Sequence, residues 1–307
     1  MSAFTLRAGG YQGEASVHTR GLRALGRALA RLSGGDVALE ITPDITTSGR
    51  NATDLLADVD SGQTDLCYFA SSYLAGRRPS LSLFDIPFST TDRQDAFRRL
   101  DGDLGRRIAA DVAAGTGFEV LAFWDNGFRH LSNRLHGIRS PRDCESLTIR
   151  TLASALHGEV FSAFGFTPVM IDVKDLAAAV RSGEVDAQEN PLTNTVNFGL
   201  HTSHRHHTLT SHFFGVALLL ASRARAAAWP ASVRTVLSDA VAIATDAQRS
   251  YAVEEDRRCL AILQDAGAEI LYGSSVDIAA FQAAVAPIRS REIGRLDPAL
   301  TRGFGLS

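Results

Sequence analysis

The stretch LTIRTLASALHGEVFSAFGFTPVMIDVKDLAAAVRSGEVDAQENP, residues 147–191, decides the fold. Leu147-Thr148-Ile149-Arg150-Thr151 predicts a short strand, 154–164 a helix, 167–171 a strand, 173–182 a helix and 185–188 a third strand. Pro191 then opens a helix over 191–198, since a residue without an amide hydrogen suits the first helical position. Strand–helix alternation of this kind predicts an α/β architecture, with helices packed on a largely parallel sheet.

The same alternation extends outward. Phe4-Thr5-Leu6-Arg7-Ala8 reads as a strand running into Gly9-Gly10, and Leu22, Leu25, Leu29 and Leu32 mark one face of a helix that ends at Gly34-Gly35. Strands follow at 37–41 and 65–69 around a helix at 51–59. Ala96, Leu100, Leu104, Ile108 and Val112 recur every four residues, which predicts one helix from Asp92 to Val112. Residues 119–124 and 128–132 read as two strands, and 206–221 as two more. Beyond Trp229-Pro230 the apolar stripe Val233, Val236, Leu237, Ala240, Ile243 and Ala244 continues in register to Leu263, predicting one very long helix. Two lobes are expected, built from 1–125 plus 214–252 and from 126–213 plus 253–307. The lack of a linker implies that the chain crosses between them more than once, leaving a cleft.

The 307 residues are 45% apolar and 21% charged, enough for two lobes each with its own core. A net charge of −3 with scattered basic residues gives no reason to expect a nucleic acid partner. The longest apolar run, Gly215 to Ser222, is too short to span a bilayer and reads as a buried strand. Residues 1–10 have neither a basic region nor an apolar segment of a leader, so the chain is either cytoplasmic or has lost its leader. Cys67, Cys144 and Cys259 are too far apart for a zinc knuckle or redox pair. Cys67 reads as a buried thiol, and a Cys144–Cys259 bridge is possible.

Three segments carry candidate binding chemistry. Phe123 to Asn133 mixes aromatics with Asp125, Asn126, Arg129 and His130, and Arg129 offers a planar fork that matches a carboxylate. Arg150 ends a strand just before a helix, where ligands of open α/β sheets collect. Asn190 ends a polar strand and either caps the next helix or points its amide into a cleft. The histidines 201, 204, 206, 207 and 212 lack the helical spacing and acidic partner of an HEXXH site, so 201–207 reads as a solvated loop without metal. Ala8-Gly9-Gly10-Tyr11-Gln12-Gly13 is a near miss to a dinucleotide-binding turn, with Glu40 where a ribose-binding acid belongs. A nicotinamide-dependent oxidoreductase is thus the rival reading. No nucleophile elbow, phosphate-binding loop or Ser–His pairing is visible.

Taken in order, Gly62-Gln63-Thr64-Asp65, Phe84-Asp85-Ile86-Pro87-Phe88, Asn126-Gly127-Phe128-Arg129 through Ser132-Asn133, Leu147-Thr148-Ile149-Arg150, Phe164-Gly165-Phe166-Thr167-Pro168 and Gly183-x-Val185-Asp186-Ala187-Gln188-Glu189-Asn190-Pro191, with His212 behind them, resemble the solute-binding proteins of tripartite ATP-independent periplasmic (TRAP) transporters. The resemblance implies a two-lobed periplasmic-binding-protein-like fold, a long helix bridging both lobes and a ligand carboxylate clamped in the cleft. It implies that Arg150 forms the bidentate pair, that Arg129 and Asn190 complete the anion site, and that Tyr11, Gln12, Ser71, Ser72 and Tyr73 face the rest of the ligand. Asn126, Asp172 and His212 join that expected set, Asp172 standing where the family is often apolar. It further implies a periplasmic binding protein with no cofactor, no catalysis and TRAP membrane subunits as partners. The hydrogen-bonding character of these side chains suits a hydroxylated sugar acid such as a uronate or aldonate. A C4-dicarboxylate or a 2-oxo acid is the alternative ligand.

Overall fold

The computed structural model describes residues 3–306. In chain order the elements begin β1 (Phe4–Gly9), α1 (Val17–Leu32), β2 (Val37–Thr42), α2 (Asp54–Asp60), β3 (Leu66–Ala70), α3 (Arg93–Leu100), α4 (Asp103–Gly115) and β4 (Phe118–Asn133). The middle contains β5 (Thr148–Thr151), α5 (Ala155–Ala163), β6 (Thr167–Met170), α6 (Val173–Ser182), β7 (Ala187–Pro191), α7 (Leu192–Asn197) and β8 (His206–Ser222). The remainder is α8 (Arg223–Ala228), α9 (Ala231–Asp265), β9 (Glu269–Leu271), α10 (Ile278–Arg295) and α11 (Pro298–Phe304).

These elements form two compact α/β units. The first takes the chain up to Ser71, Leu100–Asn126 and Val216–Glu254, and the second takes Ser72–Arg99, Gly127–Gly215 and Glu255 onward. Ser72–Arg99, expected from sequence in the first unit, belongs to the second, because its 3-10 turn Pro79–Asp85 packs on α10 and α11. Strands β4 and β8 and the 35-residue α9 each contribute residues to both units.

In the first unit β1 pairs in parallel with β2 and β3, and β3 pairs antiparallel with the end of β8, Leu66 opposite Ala221 and Ala70 opposite Ala217. Every residue of β8 from Val216 to Ser222 is buried, as expected for an apolar run covered on both faces. Trp124 is fully buried and donates from Nε1 to Thr245 Oγ1 at 3.1 Å. Beside it, Gln248 pairs its amide with both Asp125 N (2.8 Å) and Asp125 O (2.7 Å), so a helix side chain completes the ladder bonds of β4.

In the second unit β7, β5 and β6 run parallel, and β4 pairs antiparallel with β7. The core beneath them is aromatic. Phe161, Phe164, Phe166, Phe213 and Phe281 are buried together with Leu131, Ile149, Val160 and Val285.

Local structure departs from the sequence expectation in four places. The helix expected over 92–112 is two, separated by a turn at Asp101-Gly102. A Cβ on Gly105 would lie 1.7 Å from Leu100 O, so this close approach demands glycine. The strand pairs expected at 119–132 and 206–221 are single long strands, each containing a left-handed residue, Gly127 (φ 83°) and Ser211 (φ 50°). His204 and His207 are buried rather than in a solvated loop, since their segment runs into β8. Cys144 and Cys259 are free buried thiols like Cys67, with no bridge between them.

Candidate functional site

The second unit holds a cluster of ionisable side chains with almost no exposure. Arg150 stands on β5 in register between Val169 of β6 and Gln188 of β7 and is 2% exposed. Its Nε donates to Ile171 O at 2.8 Å. Its Nη2 is buried and has no hydrogen-bond partner among the described residues. Tyr73 is its neighbour: burial raises the phenol's pKa, and the positive charges of Arg150 and Arg129 oppose that rise. An unmet guanidinium donor in such a place costs free energy that a bound carboxylate oxygen would recover.

Arg129 is arranged differently. On β4 it lies opposite Pro191, which makes Glu189 of β7 its diagonal neighbour on the same sheet face. Its Nε and Nη2 edge donates side-on to the two Glu189 carboxylate oxygens, with Nη2 to Oε1 at 2.7 Å. Nη2 also reaches Glu189 O at 3.1 Å and Asn190 Oδ1 at 3.3 Å. Burial works to raise the pKa of Glu189, but Arg129, His157 and His212 together hold it well below the usual carboxylate range.

Two histidines complete the cluster. His157 of α5 has Nε2 at 3.0 Å from Asp85 Oδ1 and Nδ1 at 3.8 Å from Glu189 Oε1, and its ring stacks on Phe213 at 4.3 Å. Asp85 also accepts from Ser72 Oγ at 2.5 Å. His212 Nε2 lies 3.3 Å from Glu189 Oε2, and its Nδ1 is 2.7 Å from Thr210 Oγ1. Burial acts to lower both rings' pKa values. Asp85 and Glu189 outweigh it at His157, whose pKa is raised, while that of His212 stays lowered.

The expected site residues divide between the units. Arg129, Arg150, Asn190, Ser72, Tyr73, Asp172 and His212 belong to the second, and Tyr11, Gln12, Ser71 and Asn126 to the first. Asn190 does not cap α7. Its Nδ2 donates to Gln188 Oε1 at 2.6 Å, and Gln188 Nε2 in turn donates to Ser132 Oγ at 2.6 Å, so the amide is held by its own strand. Asp172 caps α6 by accepting from Lys174 N at 3.0 Å. In the first unit, Gln12 Oε1 lies 2.9 Å from both Ser16 Oγ and His18 Nδ1, and the buried Asn126 Oδ1 has no partner among the described residues.

The dinucleotide reading of residues 8–13 meets a physical obstacle. The backbone N–H groups of Tyr11 and Gln12, which a pyrophosphate would need, both donate to the Tyr68 hydroxyl, at 3.2 and 3.1 Å. A Ser–His contact does exist, Ser132 Oγ to His204 Nδ1 at 3.0 Å, but both groups are buried. Among the described residues no group of histidine, cysteine and acidic side chains is placed to hold a metal ion.

Residues 8–293 match the bacterial extracellular solute-binding proteins of family 7. The chain belongs to that family. It is a solute-binding protein of the TRAP type, and solved TRAP proteins share its fold. The sugar acid-binding protein DctPAm from Advenella mimigardefordensis, in complex with galactonate, superposes with a TM-score of 0.91 at 21% identity, covering 98% of this chain and 96% of that one. A TRAP periplasmic solute-binding protein from Bordetella bronchispeptica, with density interpreted as pantoate, gives 0.89 at 26% identity over 98% of each chain. The 2,3-diketo-L-gulonate-binding periplasmic protein YiaO of Escherichia coli K12 is 27% identical over 77% of this chain and 71% of its own.

Within this family 7 chain, Glu189, Asp85 and His157 are not among the residues that the sequence singles out as binding groups. Glu189 and Asp85 lie inside the quoted motifs and are legible as carboxylates next to candidate ligands. His157 has no such signal: a lone histidine inside a helix reads as core. Among the described residues no helix is long and apolar enough to cross a membrane.

Proposed function

We propose that this chain acts in the periplasm, captures a hydroxylated sugar acid by its carboxylate and presents it, chemically unchanged, to the membrane subunits of a TRAP importer. The buried, unpartnered Nη2 of Arg150 carries this reading. A guanidinium can present two parallel donors to a carboxylate, and in a water-excluded place that pairing is strong. Tyr73, Ser72 and Asp172 supply hydroxyl and carboxylate groups suited to a polyhydroxylated chain. The names of the relatives agree with that chemistry: 2,3-diketo-L-gulonate and pantoate are both carboxylates.

A thermal-shift screen tests it. The set should contain galactonate, glucuronate, galacturonate, gulonate, pantoate, succinate, malate and pyruvate, with NAD as the rival. At one hundred times its dissociation constant a ligand adds about 2.7 kcal/mol of stability, which is readily seen. A shift with sugar acids supports the reading. A shift with NAD alone, or with no carboxylate, would sink it.

A further inference from the structure

We propose that His157 is an imidazolium held between the carboxylates of Asp85 and Glu189, and that the single net positive charge this gives the buried cluster makes the site select acids with one carboxylate over acids with two. The proposal rests on the reading that Arg150 receives the ligand's carboxylate.

His157 lies in the field of two buried carboxylates. Its Nε2 is 3.0 Å from Asp85 Oδ1, and its Nδ1 is 3.8 Å from Glu189 Oε1, within ion-pair distance but without a hydrogen bond. Two carboxylates this close to one buried ring favour its charged form. The charged or titratable groups facing it are Asp85 from the 3-10 turn, Glu189 from β7, His212 from β8 and, through Glu189, Arg129 from β4. On its own helix Glu159 is exposed and pairs with Arg291. The raised pKa of His157 agrees with this surrounding.

Charge then fixes what the cluster accepts. Arg129, Arg150 and His157 are opposed by Asp85 and Glu189, all of them buried, and His212 adds nothing because its pKa is lowered. One positive charge is left. A monocarboxylate against Arg150 neutralises the cluster, whereas a second carboxylate finds no further uncompensated cation among these side chains. On the Tyr73 side of Arg150 the phenol's pKa is raised, so it stays neutral, and the half-exposed Asp172 repels further negative charge. The nearby Lys174 is exposed. With His157 neutral the cluster would have no net charge to offer an anion.

The experiment uses matched acids that differ by one carboxylate: galactonate against galactarate, glucuronate against glucarate, and butanoate against succinate. Calorimetry on the intact protein between pH 6 and pH 9 should find each bound monoacid at least about tenfold tighter than its diacid. Monoacid affinity should fall as the pH rises through the His157 pKa, by at most about tenfold per unit. His157→Gln should weaken the monoacid about tenfold and flatten that pH dependence, a change that a merely structural ring would not produce. Diacids bound as tightly as monoacids, or a flat profile in the wild type, would overturn the proposal. Imidazole nitrogen resonances of His157 in the ligand-free protein give a reading that needs no ligand and no variant. A charged ring at pH 7 supports the proposal, and a neutral ring overturns it. A charged ring with no response to any sugar acid would instead count against the sugar-acid reading alone.

Discussion

The Arg129 guanidinium grips Glu189 along its Nε–Nη2 edge, and neither side chain is more than 6% exposed. Glu189 thus compensates the buried charge of Arg129 and occupies its donor edge, whereas Arg150 keeps an unmet donor.

Glu189→Ala should therefore destabilise the protein by about 3–5 kcal/mol, since it strands a buried guanidinium. Replacing both partners, Arg129→Met with Glu189→Leu, should recover most of that loss. Urea unfolding of the single and the double variant measures it. A single variant within about 0.5 kcal/mol of wild type would mean the pair is solvated in solution.

Arg150→Ala should weaken the sugar acid that gives the largest thermal shift by about two to three and a half orders of magnitude, the equivalent of roughly 3–5 kcal/mol. Arg150→Lys should restore little, because an ammonium keeps the charge but cannot offer two parallel donors. Calorimetry with circular dichroism as the folding control decides. Affinity near wild type in the lysine variant would show that Arg150 acts only as a point charge.

Acid should destabilise the fold through its buried histidines. Burial is the leading cause that lowers His18, His130 and His204 to about 3 and His207 to about 4. His130 Nδ1 also accepts from Ser211 N at 3.1 Å, which only a neutral ring can do. The unfolded chain takes up protons at these rings below about pH 6.5 while the folded chain does not. Stability should thus fall by about 1.4 kcal/mol per ring per pH unit until the folded value is reached. His157 has the opposite sign: its raised pKa gives stability that is full below about 6.5 and is lost as the pH rises through its folded value. With His212, whose pKa is also lowered, five rings against one predict a lower urea midpoint at pH 5.5 than at pH 7.5. An unchanged or higher midpoint at pH 5.5 would contradict the buried neutral rings.

Gly127→Ala should cost about 1–2 kcal/mol, because an L-residue is strained at φ 83° and the new Cβ would lie 3.1 Å from Pro191 Cβ. Gly158→Ala, inside α5 with nothing within 4 Å of its Cβ, should instead stabilise by about 0.5–1 kcal/mol. Thermal unfolding of the two variants should move in opposite directions, and a shift in the same direction would show that backbone conformation does not set the difference.

Elements with a clean local period are legible in the sequence. The apolar stripe after Trp229 becomes α9, and the alternation over 147–191 becomes β5, α5, β6, α6 and β7. What is not legible is anything decided by distant partners. The break at Asp101-Gly102 comes with a carbonyl–Cβ conflict between residues five apart, and β4 and β8 run on through a left-handed residue that a periodicity reading takes for a strand end. In the buried cluster, Arg150 and Arg129 are legible by residue type and position. The pairing of Arg129 with Glu189 is not, since it follows from strand register. His157 finds Asp85 72 residues away, a pairing with no local trace.

Because each unit is assembled from three separated stretches of chain, neither is finished early during synthesis. The first lacks the β8 strand that covers β3 until residues 216–222 have left the ribosome, and the second lacks α10 and α11 until residues 278–304 do. Long-range pairings of this kind close late. The nascent chain therefore stays without either complete core until those segments emerge, and a premature stop at any codon up to 215 would leave both units unfinished rather than yield one intact half.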